Sequence, residues 1–401
     1  MAKKRALICL RNLIMKKFKL SVLFTAGLLS TSVAPAFSAN LTVEELRIPK
    51  ASKAMPNVIN AFDRELANFT KQLNTSNSFE AARQLVSKEG LKLWQLAKAR
   101  IKSAKSFDDR PLFWGRLQYS KLIREVKPAF ELSEAERTIL LMQLEKSSRG
   151  RTELNYSQGT TKKILVTGFD PFLLDRNIDQ SNPSGVAAML LDGKVIEHNG
   201  VKAEINTVMI PVRYEDFDQG LIEEVLAPYY ATNSVDMIVT ISMGRKDFDL
   251  ERFPGKRRSV TAPDNLNILS GGTKTAPIIS KLNQIALPGT EFVEFSLPVS
   301  AMQQAKGNYK VTDNHKVTTL TKTFHPSTLS QLTGETAVAG SGGGYLSNEI
   351  SYRSIRLRNE LNSAIPTGHI HTPRIKQYEP ATEKAIVEQI EEMLRLSLTE
   401  I

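Results

Sequence analysis

The sequence predicts an α/β protein, a three-layer α/β/α sandwich with a mostly parallel sheet that follows an α-helical N-terminal extension. Two observations predict this class. From Lys162 onward, short β-rich runs alternate with helical stretches, a pattern typical of parallel sheets covered by helices on both faces. Residues 40–159 instead contain few glycines and many helix-forming residues. We therefore divide the chain into a segment at 1–39, a helical region with a linker at 40–160, and an α/β domain at 161–401.

Segment 1–39 has the pattern of a secretory signal peptide. A basic stretch at residues 15–19 precedes a short apolar run at 20–29 and a small-residue cleavage sequence that ends at Ala39. An apolar run of about ten residues is too short for a transmembrane anchor, which needs about twenty. We expect cleavage near the bond between Ala39 and Asn40, a periplasmic or secreted protein, and no stable membrane span after cleavage.

Removal of segment 1–39 changes both the net charge and the cysteine content on which a function can be predicted. Residues 1–39 carry seven basic residues and no acidic ones, so cleavage lowers the formal net charge from +11 to +4. A charge this small does not favour nucleic-acid partners, and that class is excluded. Cys9 is the only cysteine in the sequence. The cleaved chain would therefore have no disulfide, no cysteine metal site and no cysteine nucleophile.

Periodicity places helices in the region that follows. Apolar residues recur at helical spacing over 91–101 and over 133–146, and the second stretch begins with a Ser-Glu-Ala-Glu capping sequence. The polar, turn-rich stretch at 147–161 is predicted to be a linker. The aromatic residues that we expect in the core are Trp94, Phe113 and Trp114.

In the α/β domain, the elements follow from β-rich runs and from helical stretches between them. The predicted strands are 163–167, 204–210, 235–241, 291–297, 337–339 and a last one around 369–371. The predicted helices are 183–191, 214–229, 276–285, 348–361 and 381–398.

One part of the sequence has the residues for nucleophilic catalysis. Ser347 follows the glycine run 342–344 and directly precedes the predicted helix at 348–361. A nucleophile at a helix N-terminus is favoured by the helix dipole and by free backbone N–H groups. His371 lies on the next predicted strand, from which it could act as the base.

Ordinary structural roles fit the same kinds of residue when each is considered alone. His371 in a strand fits a hydrogen-bonded core histidine. Glu251 lies in the charged run 245–252, which predicts a solvent-exposed face. Phe169 and Phe172 fit core aromatics. Only several of these residues taken together can indicate a function.

The motifs of the α/β domain resemble those of the pyroglutamyl peptidase I (pyrrolidone-carboxylate peptidase) family. Around the candidate nucleophile and base, the matching residues are Tyr345, Asn348, Gly368, Ile370, His371 and Pro373. Further matching blocks are Thr167 to Phe172, Asn182 to Ser184, Pro211 and Val212 with Tyr214, Gly244 and Arg245 with Leu250 to Arg252, Pro263 to Asn265, and Leu297 to Val299. A short motif gains weight only from its context, so the shared order of these blocks is what indicates the family.

The resemblance implies a peptidase that removes N-terminal pyroglutamate, or a related small cyclic amide, from peptides and needs no cofactor and no metal. The site residues that it implies are, for catalysis, Ser347, His371 and Glu251 and, for substrate binding, Phe169, Phe172 and Tyr345. The two phenylalanine rings would pack around the pyrrolidone ring, and backbone N–H groups beside Tyr345 would form the oxyanion hole. Family members often associate into dimers or tetramers, and the resemblance leaves open whether the N-terminal extension permits a homo-oligomer here.

Departures from the family pattern leave two functions open. Ser347 replaces the family's cysteine, and Ile241 replaces a glutamine near its catalytic centre. His369, Glu349 and the basic run at 252–258 also differ. Serine holds its proton more tightly than cysteine, so a site tuned for a thiolate activates it less. The sequence therefore predicts an exported hydrolase that acts through Ser347 or, alternatively, a catalytically inactive family member that serves as a binding or interaction module.

Overall fold

The chain forms helices first and then alternates strands with helices in the computed structural model, which describes residues 40–157, 159 and 162–401. The helices before the first strand are α1 (Val43–Leu46), α2 (Ile48–Ala54), α3 (Pro56–Ile59), α4 (Asp63–Asn74), α5 (Phe79–Ala104), α6 (Arg110–Glu125) and α7 (Glu134–Ser147). The strands are β1 (Lys162–Phe169), β2 (Lys194–His198), β3 (Val201–Ile210), β4 (Met237–Met243), β5 (Phe248–Glu251), β6 (Arg257–Arg258), β7 (Ile278–Ile279), β8 (Lys281–Leu282), β9 (Ile285–Ala286), β10 (Val311–Asn314), β11 (Val317–Thr319), β12 (Thr323–Phe324), β13 (Ala337–Ala339) and β14 (Thr367–Thr372). The later helices are α8 (Pro183–Leu191), α9 (Tyr214–Asp218), α10 (Leu221–Thr232), α11 (Val299–Met302), α12 (Leu346–Glu360) and α13 (Pro380–Leu396).

The predicted signal peptide, with Cys9, lies outside the described residues. Short 3-10 turns occur at Asn60–Phe62, Leu329–Leu332 and Ser397–Thr399. None of the helices in the described part of the chain is long and apolar enough to cross a bilayer.

Seven strands form the central sheet, in the order β10-β5-β14-β4-β1-β3-β2. The inner pairs of β1 with β3, β1 with β4 and β4 with β14 are all parallel. Antiparallel pairs join β2 to β3 and β5 to β14, while β10 runs parallel to β5 at the edge. The sheet is therefore mostly parallel, as predicted.

Alternation along β1 divides the core between the two faces of this sheet. Ile164 and Val166 pack in the apolar cluster that contains α8 and α13, whereas Leu165 packs in the cluster that contains α10 and part of α12. All three side chains are fully buried. Successive side chains of a strand point to opposite faces, so a strand that is apolar throughout needs cover on both sides. The predicted three-layer α/β/α sandwich is confirmed.

The helical region shares this core with the α/β domain. Trp94 packs in the same apolar cluster as β1, and Phe113 and Trp114 pack in a further cluster with Leu174. These aromatic side chains are buried, as predicted. Residues 40–401 accordingly form one compact unit.

Several element boundaries agree with the sequence analysis. The capping box at the start of α7 is present, with Ser133 Oγ accepting from Glu136 N at 3.3 Å and the Glu136 carboxylate accepting from Ser133 N at 3.0 Å. Helix α8 has the predicted bounds. Helix α12 begins at Leu346, earlier than predicted, so Ser347 lies inside its first turn rather than ahead of it.

Two predicted helices differ from the structure. Residues 276–285 form the short strands β7 to β9, because Asn283 and Gln284 adopt φ angles of 50° and 74° and turn the chain between β8 and β9. Residues 214–229 form two helices, since Gly220 adopts a φ of 82° between α9 and α10. In both places a local turn interrupts the expected periodicity.

The predicted strand at 291–297 is wrong. Its backbone N–H groups bond to two different segments: Val293 N donates to Pro254 O at 3.3 Å, and Ser296 N donates to Thr367 O at 2.9 Å. A ladder needs one continuous partner strand, so this segment is buried but irregular.

Glu383 is a buried carboxyl group where α13 meets the helical region. Its Oε1 accepts a hydrogen bond from Ser181 Oγ. Asp109, also buried, lies close by and accepts a hydrogen bond from Asn182 N at 3.2 Å. Burial raises the pKa of Glu383 to about 8 despite the hydrogen bond from Ser181, and the charge of Asp108 contributes to the rise. This carboxyl group is therefore mostly protonated in the folded protein at neutral pH.

We predict that Glu383 makes stability fall with rising pH. A folded-state pKa of about 8 against about 4.3 in the unfolded chain means that the folded state keeps the proton while the unfolded state loses it. The free energy of unfolding should therefore decrease from about pH 4 to about pH 8 and level off above. Glu383→Gln should remove this slope and raise the melting temperature at about pH 9 by a few degrees.

Calorimetric melting curves between about pH 4 and about pH 9 provide the measurement, since this window spans both pKa values. Glu388→Gln is the control, since Glu388 lies on the same helix but is exposed and pairs only with Lys384 at 3.7 Å. An unchanged slope in Glu383→Gln would contradict the prediction.

Candidate active site

A buried histidine–carboxylate pair links β14 to β5. His371 Nδ1 is hydrogen-bonded to Glu251 Oε1, and both side chains are buried. Glu251 Oε2 accepts from Asn314 Nδ2 at 2.8 Å, and the same nitrogen donates to Ser341 O at 3.0 Å. No sequence signal pointed to Asn314, because the strand that carries it is too short to show a periodicity.

The burial of Glu251 contradicts the solvent-exposed face that its charged run predicted. Its carboxylate is 0% exposed because β5 is an inner strand, flanked by β10 and β14. Asp249 pairs with His371 across the strands, and burial together with the charge of Glu251 raises the pKa of Asp249 to about 6. Among the described residues, His371 Nε2 makes no hydrogen bond. That nitrogen is available to a ligand, as a general base requires.

The position of His371 depends on a neighbouring glycine. A Cβ atom at Gly244 would lie 2.6 Å from His371 Cβ, closer than real Cβ contacts allow. Gly244 N also donates to Thr372 O at 2.9 Å. The motif glycine is thus required by the close approach of the two strand ends.

Ser347 is the second residue of α12, and Tyr345 is the N-cap. The N–H groups of the first turn have no partner within a helix and can bind an oxyanion. Ser347 Oγ donates to Gly342 O at 3.4 Å. It makes no hydrogen bond to His371 among the described residues. The structure thus joins His371 to Glu251 directly, but it does not join Ser347 to them.

The start of α12 is held by Asn348. Its side-chain Nδ2 donates to Gly255 O at 2.7 Å, and its Oδ1 accepts from Gly255 N at 2.9 Å. A Cβ at Gly340 would lie 2.2 Å from Asn348 Oδ1, so the backbone must approach closely there. These contacts fix the loop that carries the candidate nucleophile.

Ser347 lies at a small, largely apolar cleft with a cavity volume of about 30 Å³. The residues that line it are Phe169, Phe172, Asn182, Val212, Ser242, Met243, Tyr345, Leu346 and Ser347. The cleft therefore brings together the predicted substrate-binding residues and the predicted nucleophile. A larger groove, lined in part by Glu44, Arg124 and Arg213, contains none of these residues.

Asp170 lies between Phe169 and Phe172 in the sequence. Its side chain is bound by residues of the helical region and of the stretch that follows it. Arg116 Nη1 contacts the two carboxylate oxygens of Asp170 at 3.0 and 3.1 Å, and Arg149 Nη1 contacts Oδ2 at 2.7 Å. All three side chains are buried. Arg149 belongs to the stretch predicted as a polar linker, so that stretch is in part a core element.

Asn182 ties the same motif to α8. As the N-cap, it accepts from Ser184 N at 3.1 Å through Oδ1, and its Nδ2 donates to Asp170 O at 3.0 Å. Ser184 Oγ in turn accepts from Phe169 N at 3.0 Å. The side chain of Asn182 thereby helps to position Phe169.

Two of the departures from the family pattern pair with each other. Glu349, in the first turn of α12, binds Arg258 at 2.6 and 2.8 Å and Arg353 at 2.8 Å. The basic run around Arg258 is otherwise satisfied within the chain, by Arg252 with Asp313 at 2.6 Å and Arg257 with Glu291 at 2.7 Å. The added basic residues therefore serve the structure beside the cleft.

The fold and the site define an α/β protein with a serine, a histidine and a glutamate near one cleft. Residues 30–145 match the family model described as PA0049 N-terminal domain, and residues 163–296 and 300–376 match the PA0049 C-terminal domain. The chain belongs to this family. It is 25% identical over 393 residues to "Uncharacterized protein PA0049" of Pseudomonas aeruginosa, covering 75% of this chain and 71% of that protein.

Solved structures of pyrrolidone carboxyl peptidases also resemble the chain. A mutant pyrrolidone carboxyl peptidase from the hyperthermophile Pyrococcus furiosus has a TM-score of 0.40 and 19% identity, over 59% of this chain and 99% of that one. The Thermococcus litoralis protein has a TM-score of 0.39 and 20% identity, over 59% of this chain and 94% of that one.

We predict that Asp170→Asn destabilises the whole unit. The substitution leaves the buried Arg116 without a carboxylate and leaves Arg149 with Glu145 alone, so the free energy of unfolding should fall by about 3–5 kcal/mol. Urea unfolding followed by circular dichroism measures the change.

Asp175→Asn is the matched control. Asp175 pairs with Arg47 at 2.8 Å but is 56% exposed, so its loss should cost about 1 kcal/mol or less. An equal loss of stability in Asp170→Asn and Asp175→Asn would show that the buried contact of Asp170 with Arg116 and Arg149 does not stabilise the fold more than an exposed ion pair does.

Proposed function

We propose that the chain is a hydrolase that removes N-terminal pyroglutamate, or a related small cyclic amide, from peptides. Ser347 is the nucleophile, His371 the base, and Glu251 the acid that orients His371. The observation that carries the proposal is the buried pair of His371 and Glu251. His371 is aligned, across β14 and β4, with Ser242 of the cleft, which also contains a helix-N-terminal serine and two phenylalanines. The motif resemblance noted in the sequence supports the same assignment.

In this mechanism Ser347 Oγ attacks the carbonyl carbon of the pyroglutamyl group while His371 Nε2 takes the hydroxyl proton. The charge on the carbonyl oxygen is stabilised by the first-turn N–H groups of α12. His371 then donates the proton to the departing amine, and water hydrolyses the ester on Ser347. Glu251, hydrogen-bonded to Nδ1, orients the ring and stabilises the imidazolium. To begin, Ser347 Oγ must rotate away from Gly342 O, its present acceptor.

The chemistry of the cleft lining suits the ring of this substrate, and the cleft, with a volume of about 30 Å³, must open to admit it. A pyrrolidone ring is flat, small and uncharged, so apolar and aromatic walls bind it without leaving a charge unpaired. Phe169 is 3% exposed and stacks with Phe217 at 6.3 Å between ring centres, which makes its position rigid. A rigid aromatic wall favours one small ring over flexible side chains.

A binding module without turnover is the second candidate. One observation favours it: Ser347 Oγ donates to a backbone carbonyl rather than to His371. A hydroxyl whose proton goes to a carbonyl is not activated. Such a protein would still bind a cyclic amide in the cleft.

We predict that activity on a pyroglutamyl-coumarin amide depends on Ser347. In a purified chain without residues 1–39, Ser347→Ala should lower kcat by roughly 10³-fold or more, because the acyl intermediate cannot form. Ser347→Cys should retain turnover. Ser351→Ala is the control on the same helix, since Ser351 Oγ is buried and lacks a hydrogen bond within the described part of the chain; its activity should match the wild type.

The outcomes separate the two candidates. Turnover in Ser347→Cys without turnover in the wild type would overturn the serine hydrolase and favour the binding module. Absence of turnover in both, with no calorimetric binding of pyroglutamate amide, would overturn both.

We also propose that the protein is exported and loses residues 1–39. The support is the signal-peptide pattern in the sequence. Mass spectrometry of the N-terminal peptide from cell envelope extracts should find a chain that begins at or near Asn40. A cytosolic chain that keeps residues 1–39 would overturn this proposal.

A further inference from the structure

A second histidine, His369, lies next to the cleft and is not used by the proposed mechanism. Its Nε2 is 2.8 Å from Ser242 Oγ, and its Nδ1 is 2.8 Å from Thr240 Oγ1. His369 and Thr240 are 0% exposed, whereas Ser242 lines the cleft together with Ser347. The three residues form a chain of hydrogen bonds that ends at the ligand-facing side of β4.

The direction of these hydrogen bonds follows from the number of protons. Thr240 Oγ1 donates its one proton to Gly368 O at 3.2 Å. We assign the ring proton of His369 to Nδ1 on this basis, because a hydroxyl that donates to Gly368 O is left to accept from the ring. Burial and the neighbouring His371 hold the pKa of His369 well below its usual range, so the ring is neutral. Nε2 then accepts, and Ser242 Oγ must donate to it.

Ser242 Oγ consequently presents only lone pairs to the cleft. Its one proton is committed to His369, and it has no other hydrogen-bond partner among the described residues. The other polar side chains of the cleft have partners of their own: Asn182 caps α8, Tyr345 donates to Pro263 O at 2.8 Å, and Ser347 donates to Gly342 O at 3.4 Å. The lining therefore offers a fixed hydrogen-bond acceptor within an apolar wall.

We propose that Ser242 determines specificity by accepting a hydrogen bond from the ring N–H of a cyclic amide. This inference rests on the proposed function and deepens it, since it names the ligand group that the site recognises, the ring N–H. His369 and Thr240 are positioning residues that keep Ser242 from turning its proton toward the ligand. A ring that carries oxygen in place of N–H would face Ser242 with lone pair against lone pair and would be rejected.

The test compares two ligands that differ in that one group. The first is pyroglutamate amide, and the second is its lactone isostere, 5-oxotetrahydrofuran-2-carboxamide. Binding is measured by titration calorimetry in the Ser347→Ala background, so the result does not depend on turnover. With Ser242 present, the lactam should bind tighter than the lactone by roughly tenfold or more.

Three substitutions in that background locate the effect. Ser242→Ala should abolish the preference for the lactam, and Ser242→Thr, which keeps the hydroxyl, should retain it. His369→Phe should reduce the preference, because the hydroxyl of Ser242 is then free to rotate. Circular dichroism and melting curves check that each variant is folded, and the threonine variant keeps the test decisive if the alanine variant unfolds.

Two results would overturn the inference in different ways. Equal binding of lactam and lactone with Ser242 present would overturn the role of Ser242 and leave the proposed function standing. Failure of both ligands to bind would overturn the proposed function and, with it, this inference.

Discussion

The buried contact of Asp170 with Arg116 and Arg149 is the interaction on which the rest of the structure depends. Asp170 lies between Phe169 and Phe172 in the sequence, while both guanidinium groups come from outside the α/β domain. Buried charges are stable only when they are paired. The N-terminal region and the α/β domain therefore cannot separate without exposing these charges or leaving them unpaired. The N-terminal helices are therefore part of the body that shapes the cleft, and the shared apolar core around Trp94 agrees with this.

His369 and His371 lie close together on β14 but have different chemical environments. Their rings lie 4.9 Å apart and almost perpendicular. His371 contacts a carboxylate, which stabilises a positive ring. His369 is buried, is hydrogen-bonded to two hydroxyl groups and lies beside His371, so a positive ring is disfavoured. The strand thus supplies one group suited to moving a proton and one suited to holding a hydroxyl in a fixed orientation.

The departures from the family pattern are physically connected. Glu349 would be a costly buried charge alone, but Arg258 comes from the basic run to neutralise it. Arg258 also lies 4.7 Å over the ring of Tyr214, which meets Tyr345 edge to face at 5.6 Å. The ion pair of Glu349 with Arg258 therefore stabilises the N-terminus of α12 and one wall of the cleft. This arrangement fixes the shape of the cleft around Ser347.

The sequence by itself determined the α/β class, the helical N-terminal region and the capping of α7, because these follow from local periodicity and from contacts between near neighbours. It also indicated which motif residues to expect at one cleft. Only the tertiary structure decided that Glu251 is buried, that Arg149 is a core residue, and that His369 binds Ser242. A charged or polar residue has the same local pattern whether exposed or buried, since its burial and its partners depend on segments far away in the chain.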